Sequence, residues 1–219
     1  MDLSKKFVQL NAAMKVNKKL VRFLYSNRFD RRILALKVIS YLRISDFNST
    51  IREYASSANF ALRTEALAAL IRLSEFDHLS YLLSTKNHLS LLEINVIVNA
   101  VIRNFKMDIE YTNLLTPDHP RLAIIGVEIA RNRHRTDLLP QIESLRNHPY
   151  SLLKQQAWKT IIELKGERAC MSLVIKEFSQ QNQKTQIAIL KAMHSCTDEV
   201  FFDFLEKLAI EYPIPVKLL

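Results

Sequence analysis

Apolar and polar positions alternate along this chain with a helical period, and the pattern itself repeats. A basic residue followed three and four positions later by a small or apolar pair recurs about every 30 residues. The anchors are Arg32 with Ala35 and Leu36, Arg63 with Ala66 and Leu67, Arg121 with Ile124 and Ile125, Lys154 with Ala157 and Trp158, and Lys184 with Ile187 and Ala188. Glu93 with Val96 and Ile97 keeps the spacing but inverts the charge. Each anchor opens an apolar helical stretch, and a shorter one follows after a polar break. The predicted pairs are 30–42 with 47–55, 61–73 with 78–83, 89–104 with 109–115, 121–132 with 137–145, 152–165 with 168–178, and 185–194 with 199–210. A lone helix pair cannot bury its apolar face, so the pairs are expected to stack into an extended array.

Punctuation supports this division. The turn 43–46 offers an N-cap to the helix that follows it, and Thr116-Pro-Asp-His-Pro120 and His148-Pro149 are stop-and-restart signals. Pro120 and Pro149 are placed in first helical turns, where a missing N–H costs nothing. The segment Glu211-Tyr-Pro-Ile-Pro215 cannot continue a helix and reads as extended. Ahead of the pairs, Leu3, Phe7, Leu10, Met14, Val21 and Leu24 draw an apolar line along a helix spanning 3–25, which is expected to cap the array. No linker or low-complexity stretch intervenes, so the expectation is a basic amphipathic helix over 1–26 and an array over 27–219 forming one domain.

The residues Asn59-Phe-Ala-Leu-Arg63-Thr-Glu-Ala66-Leu67-Ala-Ala-Leu70 carry a family resemblance, with looser echoes at His148-Pro149…Lys154-Gln-Gln-Ala157-Trp158 and at His119-Pro120-Arg121. Over about residues 27–210 the pattern resembles HEAT-type repeats, whose first helix carries a proline near its start, an Asp-then-Arg ladder and Ala-Leu pairs. The ladder's Asp is Asn or His here, and Glu93 stands at one basic position. The resemblance implies a right-handed α-α superhelix of about six helix pairs, with the ladder Arg or Lys bridging to the adjacent repeat's turn. The landmarks of 34-residue tetratricopeptide repeats are missing.

Composition changes the picture in two ways. The chain holds only two glycines, Gly126 and Gly166, far too few for a β-rich fold with its tight reversals, so the class is all-α. No apolar run approaches a membrane span, and MDLSKKFVQL has no export segment. The second change concerns charge. Residues 1–43 hold eleven basic residues against Asp2 and Asp30, eleven minus two, which accounts for the whole formal charge of +9. The remainder is balanced. Lys15, Lys18, Lys19, Arg22, Arg28 and Arg31 are therefore the candidate contacts to an anionic surface, either a membrane or nucleic acid, unless they are simply the solvated face of a capping helix. Were a membrane helix to precede Met1, this flank would fall on the cytoplasmic side.

No spacing associated with catalysis, phosphate cradling or nucleotide binding occurs, and the chain is expected to need no cofactor and no metal. Cys170 and Cys196 read as small core residues in a reducing compartment, and His194 as a partly buried packing residue. One enzymatic alternative follows from likeness: some stacked helical-repeat proteins of this size resemble DNA glycosylases that remove alkylated bases through a basic channel with tryptophans and a carboxylate. Here the single tryptophan, Trp158, sits beside Ala157 where a core role is expected. The favoured expectation is a cytoplasmic, non-catalytic scaffold for a protein partner, free or held at the inner face of a membrane, with nucleic acid the less favoured ligand. Its candidate partner contacts on second helices are Arg52, Tyr54, Tyr81 and Tyr111.

Overall fold

A computed structural model describes residues 16–73, 89–103, 114–116 and 118–211. Among these, 81% are helical and none lies in a strand, as the scarcity of glycine requires. The chain divides into two compact units, Met1–Glu110 and Tyr111–Leu219.

In the first unit, α1 (Val16–Leu24) and α2 (Phe29–Tyr41) are followed by a 3-10 turn at Ser45–Phe47, α3 (Asn48–Ala55), α4 (Phe60–Leu73) and α5 (Leu91–Arg103). The long helices pack in succession, α2 on α4 and α4 on α5, while α3 lies against α4 and α1 against α2. Ala35, Leu36, Ile39, Ala66, Leu67, Leu70, Ile97 and Val101 make the seam between them. Hydrogen bonds between groups about 30 positions apart tie these helices together. The Tyr54 hydroxyl donates to the Leu24 carbonyl, 30 positions away, at 2.6 Å. Arg72 Nη1 donates to Ser40 Oγ, 32 positions away, at 3.2 Å, and to Glu65 Oε1 at 2.8 Å.

The second unit contains α6 (Pro120–Asn132), α7 (Leu139–Ser144), α8 (Ser151–Lys165), α9 (Glu167–Glu177), α10 (Gln183–Ala192) and α11 (Glu199–Glu211). Again the long helices pack in succession, α6 on α8 and α8 on α10, with α7 and α9 flanking α8. Trp158, Ile161, Ile125, Ile129 and Ile189 are fully enclosed. Arg146 forms a two-pronged pair with Glu177, 31 positions on, at 3.1 and 3.0 Å. Gly126 is needed for a close approach: a Cβ there would stand 3.0 Å from Leu114 Cβ and 3.1 Å from Leu115 Cδ2. Gly166 ends α8 at φ +88°, ψ 147°, a conformation available essentially to glycine alone.

With so few glycines, two helices stop by other means. After α2, Arg43 takes φ 54°, and the Ile44 N–H returns to the Ile39 carbonyl at 3.1 Å. After α6, His134 takes φ 50°, and the Arg135 N–H returns to the Ala130 carbonyl at 3.0 Å. Both are Schellman stops with a non-glycine residue in the left-handed position.

Several expectations need correction. Neither Ile44 nor Phe47, the residues that precede the 3-10 turn and α3, makes a side-chain cap. Pro149 lies before the N-cap Tyr150 rather than inside α8, whereas Pro120 does open α6. The segment 137–145 is split into a 3-10 turn, α7 and a second 3-10 turn at Leu145–Asn147. Ile187 is exposed, and α10 instead buries Thr185 and Ile189. The Asn182 carboxamide caps the Thr185 N–H at 3.0 Å and sets that register. His194 is exposed on a turn, its Nδ1 3.1 Å from the Lys191 carbonyl. The segments 3–15, 78–83, 109–113 and 212–215 lie outside the described residues.

Candidate functional site

Two of the basic anchor residues, Arg32 and Arg63, fasten the starts of their own helices. Arg32 donates through Nε to the Ser26 carbonyl and Arg63 through Nη1 to the Ser57 carbonyl, six positions back in each case. Each guanidinium thus satisfies the turn leading into its own helix. Arg63 also reaches forward, Nε to Glu93 Oε1 at 2.7 Å. Glu93, whose side chain is 1% exposed, accepts through Oε2 from both the N–H and the hydroxyl of Ser90 at 2.8 Å, while Ser90 Oγ accepts from the Glu93 N–H. This is a capping box in which the acid also serves the neighbouring helix. Burial pushes the Glu93 carboxyl up, but Arg63 and Ser90 outweigh it and hold the group below the usual carboxylate range. The sign inversion at position 93 is therefore a clasp. The signal that would have found it is Ser90-x-x-Glu93. In α10 the part of the ladder residue is taken by Gln186, which donates to the Phe178 carbonyl at 3.1 Å, while Lys184 is exposed.

Of the candidate anionic-surface residues, Lys18, Lys19 and Arg22 stand exposed on α1. Arg28 pairs with Asp30 at 2.9 Å, and that hydrogen bond lowers the Asp30 carboxyl. Arg31 lies 5.7 Å from the centre of the Phe23 ring, which Lys19 approaches at 5.8 Å. Lys15 falls outside the described residues, as do the candidate partner contacts Tyr81 and Tyr111. Arg52 is exposed on α3. Tyr54 is half-buried, hydrogen-bonded to Leu24 and covered by the Arg32 guanidinium at 5.3 Å, so its hydroxyl and one ring face serve the fold.

Sequence reading missed one concavity of the described surface. In the second unit a cleft of about 980 Å³ opens where the starts of α9 and α11 meet, lined by Lys165, Glu167, Ala169, Cys196, Asp198 and Val200 among others. It continues along α9 into a second hollow of about 560 Å³ bounded by Arg168, Met171, Ile175, Lys176 and Val200. Two polar contacts set its width: the Ser195 N–H donates to Glu167 Oε1 at 3.2 Å, and Arg168 Nε lies 3.6 Å from Asp198 Oδ2. The groove thus has apolar walls, Met171, Ile175 and Val200, under a rim of both charges. Beside it α11 leaves Val200 53% and Phe202 52% exposed.

The remaining chemistry-bearing groups are accounted for by the fold. The Ser195 hydroxyl touches His194 Nε2 at 3.1 Å, a contact between chain neighbours that orders the turn. Cys170 is buried, its thiol raised by burial and 3.7 Å from the Ile161 carbonyl, and both cysteines are free. Trp158 is 0% exposed and presents no ring face to a ligand. Among the described residues no group of three or more His, Cys, Asp and Glu side chains could hold a metal ion, and no helix is long and apolar enough to cross a membrane. No family model, no curated protein and no solved structure matches the chain.

Proposed function

We propose that the chain is a non-catalytic protein-interaction module, a HEAT-like array whose second helices α9 and α11 hold a segment of a protein partner. The observation that carries this reading is the groove between them: open, apolar on its walls through Met171, Ile175 and Val200, and rimmed by Lys165, Arg168, Glu167 and Asp198. A few buried apolar anchors supply most of the affinity in such a site, and the mixed-charge rim fixes register. The HEAT-like reading is further supported by successive packing of long helices inside each unit and by clasps one repeat apart, such as Arg63 with Glu93 and Arg146 with Glu177. The compartment proposed is the cytoplasm, where the free thiols Cys170 and Cys196 persist.

The test is affinity capture with the intact chain, the double variant Ile175→Asp/Val200→Asp, and Lys184→Glu as a control. All three positions are exposed, so the fold tolerates the changes. A protein retained by the wild type and the control, and at least about tenfold less by the double variant, is the expected outcome. Recovery of nucleic acid alone, or equal retention by the double variant, would refute the reading.

A further inference from the structure

We propose that the outward stripe of α1 docks the first unit on an anionic phospholipid surface. Lys18, Val21, Arg22 and Tyr25 follow one another at i, i+3, i+4 and i+7, and all four are exposed. Leu20 and Leu24, on the opposite side, are buried in the unit. The helix therefore keeps its own apolar face for the fold and turns outward a second one of different composition: two cations, an aliphatic side chain 40% exposed and a tyrosine 57% exposed. The Tyr25 ring is oriented by a 3.0 Å hydrogen bond between its hydroxyl and Thr50 Oγ1.

Charge points to an anionic partner. Residues 16–43 contain Lys18, Lys19, Arg22, Arg28, Arg31, Arg32, Lys37 and Arg43 against Asp30, eight minus one, or +7. At the edge of α1 the cations of Lys19 and Arg31 converge on the single Phe23 ring, so like charges gather beside the stripe. An anionic surface relieves that repulsion.

The choice between lipid and nucleic acid rests on the other two residues. A phosphate backbone has no use for an exposed valine, whereas cation, aliphatic and tyrosine side by side is the composition of a bilayer interface. Single-strand platforms also need bare aromatic faces for base stacking. Here the rings of Phe23, Phe29, Tyr41, Tyr54 and Phe60 each carry a Lys or Arg cation over one face, and Tyr25, which carries none, is a single exposed ring and not a stacking platform. Because Leu20 and Leu24 are committed to the core, α1 lies on the headgroups without inserting. Binding is consequently peripheral and sensitive to salt.

The experiment is co-sedimentation of the intact chain with phosphatidylcholine vesicles with or without about 30% phosphatidylserine. Binding to the anionic vesicles alone is expected, lost between about 0.05 and 0.5 M salt. Lys18→Gln/Arg22→Gln weakens it about 25-fold, fivefold for each charge near the surface. Val21→Ser weakens it several-fold at low salt, and both variants keep the wild-type circular dichroism and melting temperature. Absence of binding to anionic vesicles at low salt, equal binding to neutral ones, indifference to Lys18→Gln/Arg22→Gln, or displacement from vesicles by a stoichiometric single-stranded oligonucleotide would each overturn the proposal. Ile175→Asp/Val200→Asp retains vesicle binding, so this test and the capture experiment fail independently.

Discussion

Two acids, one in each unit, lie at helix seams and meet opposite fates. Glu93 at the start of α5 is held below the ordinary carboxylate range, while Glu128, late in α6, is raised above it. Burial opposes ionisation in both. Glu93 receives two donors from Ser90 and one from Arg63, and it sits at a helix N-terminus, where the backbone dipole favours a negative charge. Glu128 lies near the opposite end of its helix, where the dipole is unfavourable. It is served chiefly by Arg131, which is shared with Glu163 at 3.4 Å, and Glu163 adds repulsion. What decides the state of a seam acid is therefore the number of donors aimed at it and its place along the helix, since burial alone pushes both the same way.

The largest expected effect breaks the better-served of the two. Glu93→Ala leaves Arg63 Nε and the Ser90 N–H without their acceptor inside the α4–α5 seam, and we expect a loss of about 3 kcal/mol in urea unfolding. Glu128→Ala removes a group whose ionisation the fold already disfavours, and Arg131 retains Glu163, so the loss should stay below about 1 kcal/mol. Equal losses at the two positions would show that donor count is not what distinguishes them.

Acidification sharpens the same contrast. Because the folded state lowers the Glu93 carboxyl, its contribution is fully present above the unfolded value, about 4.3, and is lost as pH falls through the folded one. Glu128 is raised, so its contribution is fully present below about 4.3 and is lost as pH rises through the folded value. Between pH 7 and pH 3.5 the stability gap between the wild type and Glu93→Gln should narrow, whereas the gap between the wild type and Glu128→Gln should move in favour of the wild type. Thermal melts of both variants across that range check the signs, and parallel curves would contradict them.

Lys184, Tyr54 and the α9–α11 groove show what the sequence discloses and what it withholds. Helical period and the dearth of glycine were enough to place the long helices within a few residues, because an apolar seam recurring at i, i+3 and i+4 admits few other burials. Anchor spacing failed at Lys184 because the register of α10 is set by the cap at Asn182, and a polar cap outranks a nearby charge. Of the candidate partner contacts, Tyr54 shows the limit of reading exposure from helix periodicity: the returning chain places the Leu24 carbonyl over it. The α9–α11 groove was illegible for a related reason. Its walls come from ordinary alternations in two helices, and only the turn carrying Ser195 and Asp198 brings them together.

The smallest effect concerns how the two units end their helices, and here they agree. Arg43 closes α2 and His134 closes α6 in the left-handed conformation, each inside a Schellman turn that usually employs glycine. A side chain there crowds its own carbonyl, at about 1 kcal/mol, while glycine gives back part of that gain through the greater freedom of its unfolded chain. Arg43→Gly and His134→Gly should accordingly each raise unfolding stability by a few tenths of a kcal/mol up to about 1 kcal/mol. His134→Gly isolates the backbone term best, because removing Arg43 also takes a positive charge from the basic region. A stabilisation at 134 that is absent at 43 would mean that the Arg43 side chain makes a favourable contact offsetting its backbone strain; a loss at both positions would show that these stops are not strained at all.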